Sequence, residues 1–266
     1  MIYNLKESSV AVGNSSIDYA VFGYGKKPLV IIPGLSLRDV KGAGLGLAIS
    51  HRLFARDFRV YVLDKKNDVP EGYTVKDIAD DTVAAMRSLG IERADVYGVS
   101  LGGMVAQYIA AYHPDAVDRL VLAVTTSRQN DTVKRVVGGW ISSAERGDYR
   151  FIVDEMLGEL YSENYARRYG WIIPLLANYF RPKNMPRFIN LAKACLTCDI
   201  FEKLDLIKAK TLVLGGEKDL IVSGEASREI ADRLGCDIYM YENLGHSAYD
   251  EASDFNKRIY SFLTEK

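Results

Sequence analysis

One serine in this sequence stands where its hydroxyl could act as a nucleophile. Ser100 is the centre of a Gly-Val-Ser-Leu-Gly motif, between the apolar runs Ala94–Gly98 and Leu101–Tyr112. The first run has the composition of a buried strand, and the second has the length and spacing of a helix. A serine at such a strand-to-helix turn is held in a strained backbone conformation, with its hydroxyl exposed at the carboxyl edge of the sheet. Glycines at 98 and 102 leave room for so tight a turn.

A serine hydroxyl needs a base, and the sequence offers three histidines. His246 follows the β-branched run Asp237–Tyr241, so we expect it to emerge at the same sheet edge as Ser100. His113 stands where the helix after the serine ends, so we expect it away from the carboxyl edge of the sheet. His51 follows Gly- and Ala-rich sequence, where a packing or surface position is expected. The sequence therefore predicts His246 as the general base.

The acid that orients the base is expected on another loop at this edge, between serine and histidine in chain order. The run Thr211–Leu214 is followed by Gly-Gly-Glu-Lys-Asp, which offers Glu217 and Asp219. Asp219 is preferred because two further residues let the loop curl toward the histidine, and Glu217 is the alternative. Asp250 and Glu251 are expected at the start of the last helix, where acidic side chains interact favourably with the helix dipole.

These candidates must be positioned by a sheet, and seven short runs predict its strands. The runs alternate with helical patterns such as Val75–Leu89, which stops at Gly90, a residue typical of helix ends. Strands that alternate with helices indicate a parallel sheet with right-handed crossovers. The predicted strands are Ile17–Gly23, Leu29–Ile32, Arg59–Leu63, Ala94–Gly98, Leu120–Val124, Thr211–Leu214 and Asp237–Tyr241.

The alternation stops after about Thr125 and resumes at Thr211. The sequence between them is rich in aromatic residues and has no convincing strand pattern, so it predicts several helices. An all-helical block inside an α/β alternation is expected to be an insertion that covers the sheet edge and roofs the site. We therefore predict one discontinuous core domain, residues 1–125 and 205–266, with a helical cap at residues 126–204.

The composition excludes several classes of partner. Lys and Arg number 34 against 35 Asp and Glu, which leaves no electrostatic footprint for nucleic acid or an anionic membrane. No apolar run approaches the roughly 18 residues needed to span a bilayer, and the first residues lack the pattern of a signal peptide. We expect a cytoplasmic protein that binds neither nucleic acid nor membrane, as a monomer or homodimer.

Cysteine and glycine patterns argue against a bound metal or nucleotide. Cys195, Cys198 and Cys236 are an odd and sparse set, which disfavours a disulfide framework. The Cys-x-x-Cys pair lacks the further Cys or His ligands of a structural zinc site. The glycines of Gly42–Gly46 do not follow a strand directly and lack the dinucleotide-binding spacing. We predict no cofactor and no metal.

Together these motifs resemble the α/β-hydrolase superfamily, over nearly the whole chain. The resemblance rests on the motif around Ser100, the Gly-Glu-Lys-Asp219 loop, the Gly-His246-Ser sequence and their order. It implies an α/β fold with a mostly parallel central sheet flanked by helices, and with a helical cap. It also implies an oxyanion hole made by the backbone N–H groups of Leu35 and Leu101.

Two segments depart from the pattern of that family. The loop before Leu35 carries Pro33-Gly34 where the family has His-Gly, so the hydrogen bonding of that loop does not carry over automatically. After Asp64 the chain reads Lys-Lys-Asn-Asp-Val-Pro in place of a stretch like Arg-Gly-His-Gly. Both departures weaken assignment to any one subfamily.

The motif is similar to those of carboxylesterases and 3-oxoadipate enol-lactonases, which share it. The resemblance therefore implies a serine hydrolase that cleaves a small-molecule ester, thioester or lactone through an acyl-enzyme on Ser100. A ligand receptor that keeps the triad but turns over slowly, or an acyltransferase, are the alternatives. An enol-lactonase would need cations facing its substrate carboxylates, and the candidates are Arg128, Arg135, Arg167 and Arg168.

Overall fold

The structure is a computed structural model that describes residues 2–169, 171 and 182–265. Part of the predicted helical cap, residues 170 and 172–181, lies outside the described residues.

The centre of the molecule is an eight-stranded sheet with the order β1-β2-β4-β3-β5-β6-β7-β8. The first two strands pair antiparallel, β2 pairs antiparallel with β4, and the remaining pairs are parallel. The strands are β1 Lys6–Val12, β2 Ser15–Phe22, β3 Lys27–Ile32, β4 Phe58–Lys66, β5 Ala94–Val99, β6 Val117–Ala123, β7 Lys210–Gly216 and β8 Asp237–Tyr241.

All seven predicted strands are present, and the predicted fold class is confirmed. The sequence analysis missed β1, an edge strand with mostly exposed side chains, because an edge strand needs little apolar content. Strand β6 ends at Ala123 rather than at the predicted Val124. The reason is the backbone of Val124, whose φ of +43° is incompatible with an extended strand.

Helices cover both faces of this sheet. The helix predicted over Val75–Leu89 is present as Val75–Ser88, and Gly90, with φ +73°, follows its end as expected. In the described part of the chain the α-helices are α1 Gly44–Ser50, α2 Val75–Ser88, α3 Leu101–Tyr112, α4 Asp131–Glu145, α5 Tyr149–Leu160, α6 Glu163–Tyr169, α7 Met185–Cys195, α8 Gly224–Leu234, α9 Ala248–Glu251 and α10 Phe255–Thr264; short 3-10 turns occupy Ile2–Asn4, Phe54–Arg56, Pro114–Ala116 and Phe201–Leu206.

The core forms as two layers, one on each face of the sheet. In β3, Leu29 and Ile31 belong to the layer beneath α1 and α10, whereas Val30 and Ile32 belong to the layer beneath α2 and α3. Alternate residues of a strand point to opposite faces, so a strand buried on both faces is apolar at every position. This explains why the middle strands read as unbroken apolar runs.

Four described helices, α4 to α7, lie between β6 and β7. We call residues 126–204 the helical segment. Helix α4 packs against α5 and α7. Trp140 on α4 and Phe188 on α7 are among the buried aromatic residues of the helical segment. Within the described ranges, no helix combines the length and the apolar character needed to cross a bilayer.

Helix α2 begins with a reciprocal cap that can be tested. The Thr74 hydroxyl accepts the backbone N–H of Asp77, and the Asp77 carboxylate accepts the backbone N–H of Thr74 at 2.9 Å. We expect Thr74→Ala to lower the free energy of unfolding by about 1 kcal/mol, measured by urea denaturation. Thr74→Ser is the control, since it keeps the hydroxyl; equal losses in both variants would contradict the role of the cap.

Candidate active site

The backbone of Ser100 has the strained conformation that the sequence predicts. Its φ of +54° and ψ of −119° lie outside the regions favoured by non-glycine residues. Two contacts with the end of β6 hold it: the Ser100 N–H donates to Ala123 O at 2.9 Å, and the Thr125 hydroxyl donates to Ser100 O at 2.8 Å. The side chain is thereby fixed at the carboxyl edge of the sheet.

Three glycines make this turn sterically possible. A Cβ at Gly98 would overlap the carbonyl oxygen of Gly102, and one at Gly102 would overlap the carbonyl oxygen of Ile32 on β3. A Cβ at Gly103 would lie 2.6 Å from Thr125 Cβ. The sequence predicted that Gly98 and Gly102 are needed for the tight turn. The clash at Gly102, however, is with the neighbouring strand β3 and not within the turn itself.

The structure brings Ser100, Asp219 and His246 together from three loops. His246 Nε2 lies 3.0 Å from Ser100 Oγ, and His246 Nδ1 lies 2.8 Å from Asp219 Oδ2. The histidine is 3% and the aspartate 6% exposed, so the hydrogen bond between them lies away from bulk water, whereas the one to Ser100 is partly buried. Burial in a low-dielectric environment strengthens such contacts.

Asp219 is held in place by its own loop. Its Oδ1 accepts the backbone N–H groups of Ile221 and Val222, each at 2.9 Å, which leaves Oδ2 for the histidine. The competitor Glu217 instead forms an ion pair with Arg228. Of the two acids, the structure places only Asp219 against His246.

The acid and histidine loops pack backbone to backbone. A Cβ at Gly216, the last residue of β7, would overlap the carbonyl oxygen of Gly245. The Lys218 N–H donates to Leu244 O at 3.0 Å. The glycines therefore allow the close approach that the distance between Asp219 and His246 requires.

The other two histidines lie away from Ser100, as predicted. His113 Nε2 is 2.7 Å from Asp80 Oδ1, at the opposite end of α3. The His51 ring packs against Phe54 and Tyr97, and burial lowers its pKa.

The residues predicted as oxyanion donors belong to two segments that adjoin the serine. Leu101 is the first residue of α3, so its N–H belongs to the unpaired first turn of that helix. Leu35 follows Gly34, whose Cα is so close that an added Cβ would lie 3.2 Å from Ser100 Cβ and 3.8 Å from Ser100 Oγ. The Pro33-Gly34 loop thus approaches the serine despite its departure from the family pattern.

Two buried cations behind this loop escaped the sequence analysis. Of the Lys and Arg side chains that the structure describes, only Lys65 and Arg187 are buried. Lys65 follows β4 residue Asp64, whose carboxylate lies 3.1 Å from the Arg187 guanidinium. A lysine pair after a strand reads as a solvated turn in sequence, and only the departure from the family stretch at this point marked it as unusual.

The four arginines considered as substrate ligands have other partners. Arg128 pairs with Glu229, Arg135 pairs with Glu159, Arg167 donates to Asn164, and Arg168 lies over the Tyr169 ring. All four side chains are exposed.

Asp250 and Glu251 correct one prediction. They do not begin the last helix, α10, but lie in the separate short helix α9. Asp250 accepts the Tyr161 hydroxyl at 3.2 Å, and Glu251 accepts the Ser162 N–H at 2.9 Å. Both acids form hydrogen bonds with the helical segment, so tertiary contacts contribute to their position in addition to the start of this short helix.

The thiols are poor nucleophiles. The three cysteines are free, and burial raises the pKa of Cys195 to about 12 and that of Cys236 to about 11. Within the described residues, no group of three or more His, Cys, Asp or Glu side chains is arranged to hold a metal ion.

Comparison with known proteins identifies the family. A model of the alpha/beta hydrolase fold matches residues 27–253, most of the chain. The chain therefore belongs to the α/β-hydrolase fold family.

Individual relatives are distant but cover nearly the whole chain. "Putative carbamate hydrolase RutD" of Rhizobium rhizogenes is 27% identical over 255 residues, covering 89% of this chain and 92% of its own. The enol-lactonase from Burkholderia xenovorans LB400 superposes with a TM-score of 0.84 at 23% identity, covering 97% and 100% of the two chains. Est816, described as an N-acyl homoserine lactone degrading enzyme, superposes with a TM-score of 0.76 at 25% identity, covering 96% and 100%.

The steric argument for the serine turn yields a paired prediction. Gly102→Ala forces a methyl group into the Ile32 carbonyl, so we expect a loss of about 3 kcal/mol or more in the free energy of unfolding. Gly46→Ala is the control, because Gly46 is an exposed helical glycine with nothing near its missing Cβ. It should be neutral or stabilise the protein by up to about 1 kcal/mol. Urea denaturation of both variants measures this, and equal effects would refute the steric account.

Proposed function

We propose that this protein is a serine hydrolase that cleaves a small ester, thioester or lactone through an acyl-enzyme on Ser100. The observation that carries the proposal is the unbroken chain of hydrogen bonds from Asp219 through His246 to Ser100 Oγ. A weakly acidic serine hydroxyl becomes a nucleophile only when a base removes its proton as it attacks. This arrangement supplies the base and the group that orients it.

The proposed reaction has two halves. In the first, Ser100 Oγ attacks the substrate carbonyl while His246 Nε2 takes the hydroxyl proton and then delivers it to the leaving group. Asp219 holds the proton on Nδ1, so that Nε2 is the basic nitrogen, and stabilises the imidazolium ion that forms. In the second half, His246 activates a water molecule, which attacks the acyl-enzyme and releases Ser100.

Negative charge on the carbonyl oxygen is stabilised in both halves by backbone donors. The N–H groups of Leu35 and Leu101 are the proposed oxyanion hole, and one such donor is typically worth on the order of 3 kcal/mol in the transition state. Support comes from the place of Leu101 at the start of α3 and from the approach of Gly34 to the serine.

Among the described residues, the four arginines considered as ligands for a substrate carboxylate give no support for an anionic substrate. The arginines that might bind a substrate carboxylate are engaged elsewhere, Arg128 with Glu229 and Arg135 with Glu159. The proteins named as an enol-lactonase and a homoserine lactone degrading enzyme support carbonyl substrates with an oxygen leaving group, and the relative named as a putative carbamate hydrolase supports attack on a carbonyl. We therefore propose compact neutral esters and lactones as the first substrates to test.

The nucleophile can be tested by covalent labelling. We expect a fluorophosphonate probe to modify wild-type protein at Ser100, and Ser100→Ala to abolish both labelling and hydrolysis of p-nitrophenyl acetate. Ser127→Ala is the control, since Ser127 is a buried serine after β6 whose hydroxyl makes no hydrogen bond to any described residue. Wild-type turnover no faster than that of Ser100→Ala would refute the proposal. A panel of thioesters, lactones and carbamates then ranks the leaving groups.

The choice of acid has its own test. Asp219→Asn keeps the shape of the side chain but favours the wrong histidine tautomer, and should lower kcat on the order of 10⁴-fold. Glu217→Gln should leave kcat near the wild-type value, because Glu217 contacts Arg228 and not His246. Steady-state hydrolysis of the same ester measures both variants. The reverse ranking would move the acid to Glu217.

A further inference from the structure

The Lys65 side chain is buried behind the loop that approaches the serine. It is 3% exposed, and its ammonium donates to two successive backbone carbonyls, those of Pro33 and of Gly34, the latter at 2.7 Å. A buried charge is costly unless it is paired and hydrogen-bonded. The position of this lysine is therefore closely specified by the fold.

The geometry of the peptide bond links this contact to the reacting atoms. The carbonyl of Gly34 and the N–H of Leu35 belong to one planar trans peptide unit, so they point in opposite directions. A donor that fixes the Gly34 oxygen therefore also fixes the direction of the Leu35 N–H. The same peptide lies beside Ser100, since a Cβ on Gly34 would be 3.2 Å from Ser100 Cβ.

We propose that Lys65 is a positioning residue for the oxyanion hole: its ammonium orients the Gly34–Leu35 peptide so that the Leu35 N–H faces the developing oxyanion. This inference rests on the proposed function. The positive charge also polarises the peptide, and such cooperative polarisation strengthens a hydrogen bond by about 10–30%. The loop that lacks the family's His-Gly pair thus gains its support from β4.

A network of charges holds Lys65 and its strand end. The Asp64 carboxylate accepts the backbone N–H groups of Lys65, at 2.8 Å, and of Val40, at 2.9 Å. Arg187, on α7 of the helical segment, donates to Asp64 and to the Lys65 carbonyl. Arg187 also faces Asp39 at 3.4 Å. The two cations and two carboxylates balance, which lowers the cost of burying Asp64, Lys65 and Arg187.

A small cavity of about 120 Å³ adjoins the ammonium, and Pro33, Gly34, Lys65 and Arg187 are among the residues that line it. Such a volume leaves room for a longer cationic side chain at position 65. Lys65→Arg is therefore a variant that can keep both the charge and the donors.

The ammonium has an unusual proton affinity. Burial lowers the pKa of Lys65 to about 8. The Arg187 guanidinium also lowers this pKa, whereas the Asp64 carboxylate and the Cys195 thiol raise it. The lysine is therefore charged below about pH 8 and loses its charge as the pH rises through this value. The neutral amine is a much weaker donor than the ammonium, so it holds and polarises the Gly34–Leu35 peptide less.

The first experiment separates positioning from folding. Lys65→Met keeps the length of the side chain but removes the donors, and should lower kcat for p-nitrophenyl acetate on the order of 10²-fold with KM within about twofold. Lys66→Met is the matched control. Lys66 is the next residue and pairs with Asp81 at 3.2 Å on the other side of the strand end, so kcat should stay near the wild-type value.

The second experiment uses folded protein with the charge retained. Wild-type kcat should fall as the pH rises through about 8, whereas Lys65→Arg, charged at every accessible pH, should show no such fall. Identical alkaline profiles in the two proteins would overturn the proposal. So would a Lys65→Met protein with wild-type kcat, or an equal fall of kcat in the Lys66→Met control. If Lys65→Met does not fold, the pH comparison decides.

Failure of this inference differs from failure of the proposed function. Wild-type protein that neither reacts with a fluorophosphonate nor hydrolyses esters would refute the serine hydrolase itself. Wild-type protein that does both, together with unaltered kcat in Lys65→Met, would refute only the role of Lys65.

Discussion

The close contact between the turn at Ser100 and the neighbouring strand β3 is the constraint on which the site depends. Gly102 lies against the Ile32 carbonyl, so α3 can begin only where β3 has just ended. This contact places the serine hydroxyl beside the Pro33-Gly34 loop. The contact is between backbone atoms, so no side chain can change its rotamer to relieve a misfit. Backbone packing of this kind tolerates little error, because a single methyl group at 102 has nowhere to go.

The same principle governs the opposite side of the site. Strands β7 and β8 deliver their loops at the same sheet edge as β5, and Gly216 lets the two loops touch. Asp219 and His246 can then form a buried hydrogen bond, whose partners are fixed before any substrate arrives. Preorganised polar groups in a dry site stabilise developing charge without the cost of reorganising water.

Behind the serine, the end of β4 connects two parts of the chain that lie far apart in sequence. Arg187 of the helical segment donates to the Asp64 carboxylate and to the Lys65 carbonyl, and the Lys65 ammonium in turn donates to the loop beside Ser100. A buried ionic network of this type adds little net stability but specifies one arrangement. We infer that this ionic network links the packing of the helical segment to the geometry of the Pro33-Gly34 loop.

Much of the fold and the site could be predicted from local sequence. Short apolar runs located seven of the eight strands, because burial on both faces demands apolar residues throughout, and helical spacing located Val75–Ser88 and Leu101–Tyr112. The order of these residues in the chain then indicated Ser100, Asp219 and His246 as candidates. The carboxyl ends of parallel strands lie at one edge of the sheet, so the topology brings residues that follow these strands to the same edge. The exposed edge strand Lys6–Val12 was missed because burial imposes no such pattern on it.

The tertiary structure alone decided between Asp219 and Glu217, the place of Asp250 and Glu251, and the partners of Lys65 and Arg187. Each of these is a charged side chain whose partner lies on another element: Arg228 for Glu217, the helical segment for Asp250 and Glu251, and two loop carbonyls for Lys65. Local sequence reveals which backbone conformation a residue favours, since that depends on its near neighbours. It does not reveal which distant group will neutralise a charge, because that depends on how the folded chain brings remote segments together.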